Sequence, residues 1–333
     1  MTAAIAALMF AGVVCYAVLG GADFGAGLWD LTAGGAARGR AARHLIDISV
    51  GPVWEANHTW LIYCLVFLWS GFPTAFAAIT TTLYFPLGLA VFGIVVRGSG
   101  FAFRKASLRT PEQRLYGVAF ATSSVLTPYC FGAVAGGIAS GRVPTGGNGN
   151  AVSSWNNPTS VLGGILAVVV CAYLAAVYLT AAAGADAAMR HYYRRRALVA
   201  AAVTGLVTLA GVFVLHSDAH RLFHQLSHRG LPALIVAGLC GLAGVALLLT
   251  DTVRGLRATA AAAVAAVVVG WGVAQYPYLL GTHLRLSEAV APRPTLWVLV
   301  GVACAAAVLI VPSLVTLFRI FDRGGPEPEP GGH

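Results

Sequence analysis

"AAIAALMFAGVVCYAVLGGADFGAGLWD", residues 3–30, decides the fold. A bilayer core takes about 20 apolar residues in helical form. Backbone polar groups in lipid must be satisfied internally, which leaves helices or closed barrels. This run is too long for a barrel strand, so it reads as a membrane helix. No basic segment and no A-x-A site accompany a short apolar core, so it reads as a retained span and not as a secretory signal.

The same pattern recurs outward from that run. The chain has 333 residues, 58% hydrophobic and 10% charged, with mean hydropathy +0.78. Soluble domains carry about 25% charged residues. The expectation is an all-α polytopic membrane protein with about nine transmembrane helices, near 3–30, 51–71, 74–97, 115–139, 159–184, 198–216, 231–250, 258–280 and 295–318. Residues 1–321 form one transmembrane domain, and "DRGGPEPEPGGH", 322–333, reads as a disordered tail. Span 1 ends "YAVLGGAD" and span 5 ends "VYLTAAAGAD"; span 4 holds "TPYCFG" and span 8 "QYPYLLG". This echo hints at two four-helix units, about 1–140 and 159–280, plus a ninth, peripheral helix at 295–318.

Charge gives the orientation. Of 21 Lys and Arg residues, the loops after spans 1, 3, 5 and 7 and the tail hold 3, 5, 4, 2 and 2; the loops after spans 2, 4, 6 and 8 hold 0, 1, 2 and 2. The positive-inside rule then places the N-terminus outside and the C-terminus in the cytoplasm. "RHYYRRR", 190–196, is the densest basic loop and reads as a topology signal touching lipid headgroups, not nucleic acid. The six cysteines stand singly in apolar runs, with no C-x-x-C pair and no disulfide framework.

Ionisable groups inside spans are costly and are functional candidates by default. Asp23, Glu55 and Asp186 are three such acids. Asp23 falls toward the cytoplasmic end of span 1. Glu55 falls in the first turn of span 2, after Pro52, which suits a helix start. In "GPVWEANHTWLI", 51–62, Glu55, His58 and Thr59 are spaced i, i+3, i+4 and share one face. Histidine titrates nearest neutrality. With Asp23 these residues make a candidate proton relay at the cytoplasmic mouth. The competing reading is an interhelical hydrogen-bond cluster. Gly21 and Gly25 form a G-x-x-x-G contact face, expected to meet another membrane subunit.

"HSDAHRLFHQLSH", 216–228, repeats His216, His220, His224 and His228 every four residues. It reads first as a solvated interfacial helix and only weakly as a metal site, so no metal is expected. Glu-x-x-His occurs once, where a di-iron bundle needs two. No Walker A, dinucleotide fingerprint, C-x-x-C-H or H-E-x-x-H is present. Histidines deep in spans are scarce; only His58 and His216 approach such a position.

These motifs resemble subunit II of cytochrome bd-type quinol oxidases. The resemblance rests on "GADFGAG" at 21–27, "GPVWEANHTWLI" at 51–62, "FPTAFAAITTTLYFPL" at 72–87 and "YPYL" closing span 8. Trp54, Glu55, Asn57 and Trp60 stand where the family shows Trp, an acid, Asn and Trp. The resemblance implies an accessory subunit in a bacterial inner membrane, with nine spans. It also implies a partner subunit I carrying b-type and d-type haems and the quinol site, and it allows a bound quinone and a small single-span subunit. It assigns this chain to stabilising subunit I and to proton uptake during reduction of oxygen to water. Glu55 becomes the path acid and Asp23 a supporting acid, with no catalytic residue in this chain. Gly20 stands where some members carry a second acid, and His58 where others have Gln or Glu. The alternatives are a secondary transporter with internal helical repeats and a subunit that ligates haem itself.

Overall fold

The computed structural model describes residues 1–35, 37–50, 54–106 and 110–323; for Val50, Trp54–Ala56, a few positions in 105–113 and most beyond Leu309 it describes backbone alone. The protein is all-α and multi-pass. Its helices are α1 Thr2–Cys15, α2 Gly21–Leu31, α3 Arg40–Val50, α4 Trp54–Gly71, α5 Pro73–Thr82, α6 Tyr84–Ala106 and α7 Thr110–Ala139. They continue as α8 Pro158–Ala182, α9 Ala187–Asp218, α10 His220–His228, α11 Leu231–Leu249, α12 Leu256–Gln275, α13 Leu286–Ala289 and α14 Arg293–Arg323. A π-helical turn, Tyr16–Gly20, joins α1 to α2 into one span.

Among the described residues seven helices are long and apolar enough to cross a membrane, and eight if the bent pair α4 and α5 counts as one. Within α14, Arg293–Leu309 counts as a shorter apolar helix. Many large apolar side chains point outward, including Leu206, Phe213, Leu242 and Val308. A lipid surround accounts for so much exposed apolar surface, which soluble proteins avoid.

Several expected spans are corrected. The run 74–97 is not one helix: it breaks at Leu83, and α5 bends by 116° from α4. Proline explains both ends. Pro73 opens α5 at its first turn, and Pro86 has no N–H to bond the Thr82 carbonyl, so the α5 ladder cannot run on. Residues 276–280 leave the span as well. α12 stops at Gln275, and Tyr278–Leu280 pairs antiparallel with Leu284–Arg285 in a short hairpin. The basic stretch 190–196 is not a loop but the first turns of α9. The expected loop 31–50 contains α3, whose Ala42, Leu45 and Ile46 are buried with Tyr193 of α9; the Tyr193 hydroxyl donates to the Ala42 carbonyl at 2.9 Å. Asp186 is no intramembrane acid. It is exposed and caps α9, accepting from Ala188 N and Met189 N at 3.0 Å each, so its echo of the buried Asp23 is not a structural equivalence. The tail 324–333 lies outside the described residues.

The core centres on α2, which packs against both α7 and α8. Gly25 makes the second contact possible. A Cβ there would lie 1.8 Å from the Cys171 carbonyl oxygen and 2.8 Å from the Ala175 Cβ. A Cβ at Gly21 would lie 3.2 Å from Leu174. The G-x-x-x-G face is therefore a helix contact, as expected, but the helix it meets is α8 of the same chain. The expectation that it meets another subunit is corrected.

Candidate functional site

Asp23 sits on α2 just after the π turn, where one extra residue re-aims the side chains that follow. Arg97, on α6, faces it. Arg97 Nη1 donates to Asp23 Oδ2 at 2.8 Å, and Nη2 donates to Oδ1 at 2.7 Å and to the Asp23 carbonyl at 3.0 Å. Its Nε donates to Ser124 Oγ at 2.8 Å, and that hydroxyl donates to the Phe120 carbonyl. The guanidinium lies between the rings of Phe24 and Phe120, 4.9 Å from each centroid. Both ends of the pair are 2% exposed. A buried pair survives only with good geometry and satisfied hydrogen bonds. Bidentate pairing supplies the geometry, and Ser124 takes a third side-chain donor.

Asp30, two turns further along α2, is also buried. It accepts from Arg43 Nε at 2.8 Å and is ion-paired to Arg104, which also holds Asp47. Arg104 lies 5.3 Å from the Phe120 centroid. Phe120 thus meets both Arg97 and Arg104. The chain of groups runs from the mouth formed by Asp47, Arg43 and Asp30 inward to Asp23.

His58 sits beside this chain on α4. Its ring meets Tyr16 and Phe24 edge-on, with centroids 6.3 and 6.0 Å away. Phe24 therefore touches both His58 and Arg97. The Tyr16 hydroxyl is buried and has no hydrogen-bond partner among the described residues. A Cβ on Gly20 would lie 2.8 Å from the Tyr16 ring, so Tyr16 occupies the space an acid at position 20 would need. Asn57 is buried, Trp60 is half-buried and stacks edge-on to Tyr63 at 6.1 Å, and Thr59 is exposed. Thr59 thus does not share the buried environment of Asn57. Glu55 is the second residue of α4; its side chain and that of Trp54 lie outside the described residues.

Sequence reading missed Arg97. It stands at the last position assigned to span 3, where it was counted as a loop cation, and it missed Asp30 at the last position of span 1. One signal was available. Asp23 and Asp30 are seven apart, and so are Arg97 and Arg104. Seven residues return to nearly the same helix face about 10.5 Å on, so two acids on one helix match two arginines on another that runs parallel.

His216 near the end of α9 and the three histidines of α10 are exposed and fall into two pairs, His216 with His220 at 5.0 Å and His224 with His228 at 4.3 Å between centroids. The opposite side of α10 buries Leu222 against Ala274 of α12. Among the described residues no three His, Cys, Asp or Glu side chains converge as a metal site.

Residues 1–321 match the family described as cytochrome bd terminal oxidase subunit II. The chain belongs to that family. Cytochrome bd ubiquinol oxidase subunit 2 of Bacillus subtilis (strain 168) is 24% identical over 179 residues, 53% of this chain and 51% of the relative. The chain thus aligns with about half the length of that curated relative. The bd oxidase structure from Geobacillus thermodenitrificans superposes with a TM-score of 0.80 at 23% identity, covering 96% of this chain and 98% of that one. This likeness shows that the two chains share a fold over nearly their whole length. The family match over residues 1–321 sets the transporter alternative aside.

Proposed function

We propose that this subunit II family member is the accessory transmembrane subunit of a cytochrome bd-type quinol oxidase in a bacterial cell membrane. It stabilises a haem-bearing subunit I, and it contributes to proton uptake from the cytoplasm as oxygen is reduced to water. The observation that carries the reading is the family match over residues 1–321. The b-type and d-type haems belong to the partner, as does the quinol site. The proposed complex allows a bound quinone and a small single-span subunit.

The geometry refines the division of labour within the proton path. Asp23 is tied to Arg97 through both carboxylate oxygens. Such a carboxylate is committed to its partner, and losing it would strand a buried guanidinium. It acts as a fixed charge shaping the field near the path. Movement of protons falls to Glu55 and His58, with Asp30 and Asp47 at the mouth. Two observations support this: His58 lies against Tyr16 and Phe24, and a row of ion-paired groups, Asp47, Arg104 and Asp30, lies on the same side of the bundle core.

The test is co-purification. A tagged chain taken from its native membrane should bring a haem protein whose reduced-minus-oxidised spectrum shows b- and d-type bands, with quinol-driven oxygen uptake. A chain that purifies in folded form with no haem partner overturns the proposal.

A further inference from the structure

The cytoplasm-facing start of α9 carries a groove that the proton path does not use. It has a volume of about 630 Å³, and its lining includes Trp29, Thr32, Met189, Tyr192, Arg195 and Arg196. The basic residues of this region divide by direction. Arg190 and Arg194 turn to the end of α11, where both approach Asp251, and Arg194 also donates to the Leu248 and Leu249 carbonyls. Arg195 and Arg196 turn to the groove, joined there by His191. Among the described residues neither has a carboxylate partner. Arg196 is stacked 3.7 Å from the Tyr192 centroid and 5.5 Å from that of Trp29, and its Nη2 donates to the Thr32 carbonyl at 3.0 Å. Two polar atoms remain buried without a partner, Arg196 Nε and the Tyr192 hydroxyl. Such orphans mark a missing ligand or water.

We infer that this groove binds one phosphate-bearing anionic lipid. Arg195 and Arg196, neither paired with a carboxylate among the described residues, and the two unpartnered groups, Arg196 Nε and the Tyr192 hydroxyl, suit a phosphate oxyanion. An apolar track leads away from them along the same face of α9. Val199 lines the groove, and Val203 and Leu206 follow it at helical spacing, all exposed. A free phosphate would use the cations but leave that track empty. An acyl chain fills it. Basic pockets at the cytoplasmic ends of membrane helices recognise lipid headgroups in this way. The ligand stabilises the junction of α2 and α9, because Trp29 and Thr32 come from the end of α2.

The experiment uses the full chain in its native complex, stripped of lipid in detergent. Dioctanoyl-phosphatidylglycerol, dioctanoyl-phosphatidylcholine and inorganic phosphate are titrated separately, and adducts are counted by native mass spectrometry. The expected result is one saturable phosphatidylglycerol, held more tightly than phosphatidylcholine, with inorganic phosphate unable to displace it at equal concentration. Arg195→Gln, at an exposed side chain with no hydrogen bond or ion pair among the described residues, should weaken it roughly five- to tenfold. Arg196→Gln should do at least as much. Unchanged phosphatidylglycerol affinity in Arg195→Gln overturns the inference. So does displacement by inorganic phosphate, which would assign the groove to a free anion.

Discussion

Arg97 and Asp23 form a bidentate ion pair between α6 and α2 in which each partner is 2% exposed. Removing one member of a buried pair strands the other charge and costs about 3–5 kcal/mol. Arg97→Gln and Asp23→Asn should therefore each lower the thermal midpoint of the purified complex by several degrees. The double variant should lie closer to wild type than either single, because two neutral partners can still hydrogen-bond. Wild-type midpoints in both single variants would show that the pair contributes nothing. Asp23→Asn is accordingly expected to act on stability first and on turnover through it.

Gly25 and Gly21 differ in what surrounds them, and the difference is measurable. A methyl group at Gly25 would overlap the backbone of α8, whereas at Gly21 it would press on the Leu174 side chain. Backbone cannot step aside as a rotamer can. Gly25→Ala should sharply reduce the yield of monodisperse protein on size exclusion, and Gly21→Ala should be tolerated. Equal yields from the two variants contradict the packing described for α2 and α8.

Hydropathy made the spans legible because lipid exposure demands long apolar runs whatever the tertiary contacts. It could not show where runs bend. The run 74–97 reads as continuous, yet it breaks at Leu83, and Pro86 was the visible signal. The site was legible only in its acids. Asp23 stood out because nothing apolar explains it. Arg97 did not, because a cation at the end of a run looks like a loop residue. Hydropathy also cannot separate a basic loop from a basic helix start, so the opening turns of α9 were hidden. Pairings such as Asp23 with Arg97 are tertiary facts, recoverable from one sequence only through the matched spacing of seven.

Orientation follows from the basic residues even after Arg97 is withdrawn from the count, since it lies inside the bundle. Arg38, Arg40, Arg43, Arg190 and Arg194–Arg196 lie in the stretches between spans 1 and 2 and at the start of α9, which the positive-inside rule assigns to one side. A reporter fused after residue 323 should be active in the cytoplasm, and one inserted after residue 147 should be active outside. Activity of the first on the outer side would reverse the proposed direction of proton uptake.

Glu55 remains the acid whose retention needs a function. It is the second residue of α4, at a helix end whose dipole favours a carboxylate. His58 follows one turn later and lies against Tyr16 and Phe24, the latter stacked on Arg97. A carboxyl at position 55 would therefore feed a cluster whose other acid, Asp23, is already committed to a cation. Glu55→Gln keeps shape and hydrogen bonding but cannot carry a proton. It should lower quinol-driven oxygen uptake per haem by about 10²-fold or more if Glu55 is the entry carrier, in line with the loss of one acid–base group. Glu55→Asp should retain more activity, because the proton-bearing group survives. Haem content must be recorded in the same samples. Full turnover in Glu55→Gln removes Glu55 from the path. Loss of haem alongside turnover would make it a packing residue of α4, leaving His58 as the remaining carrier to test by His58→Gln.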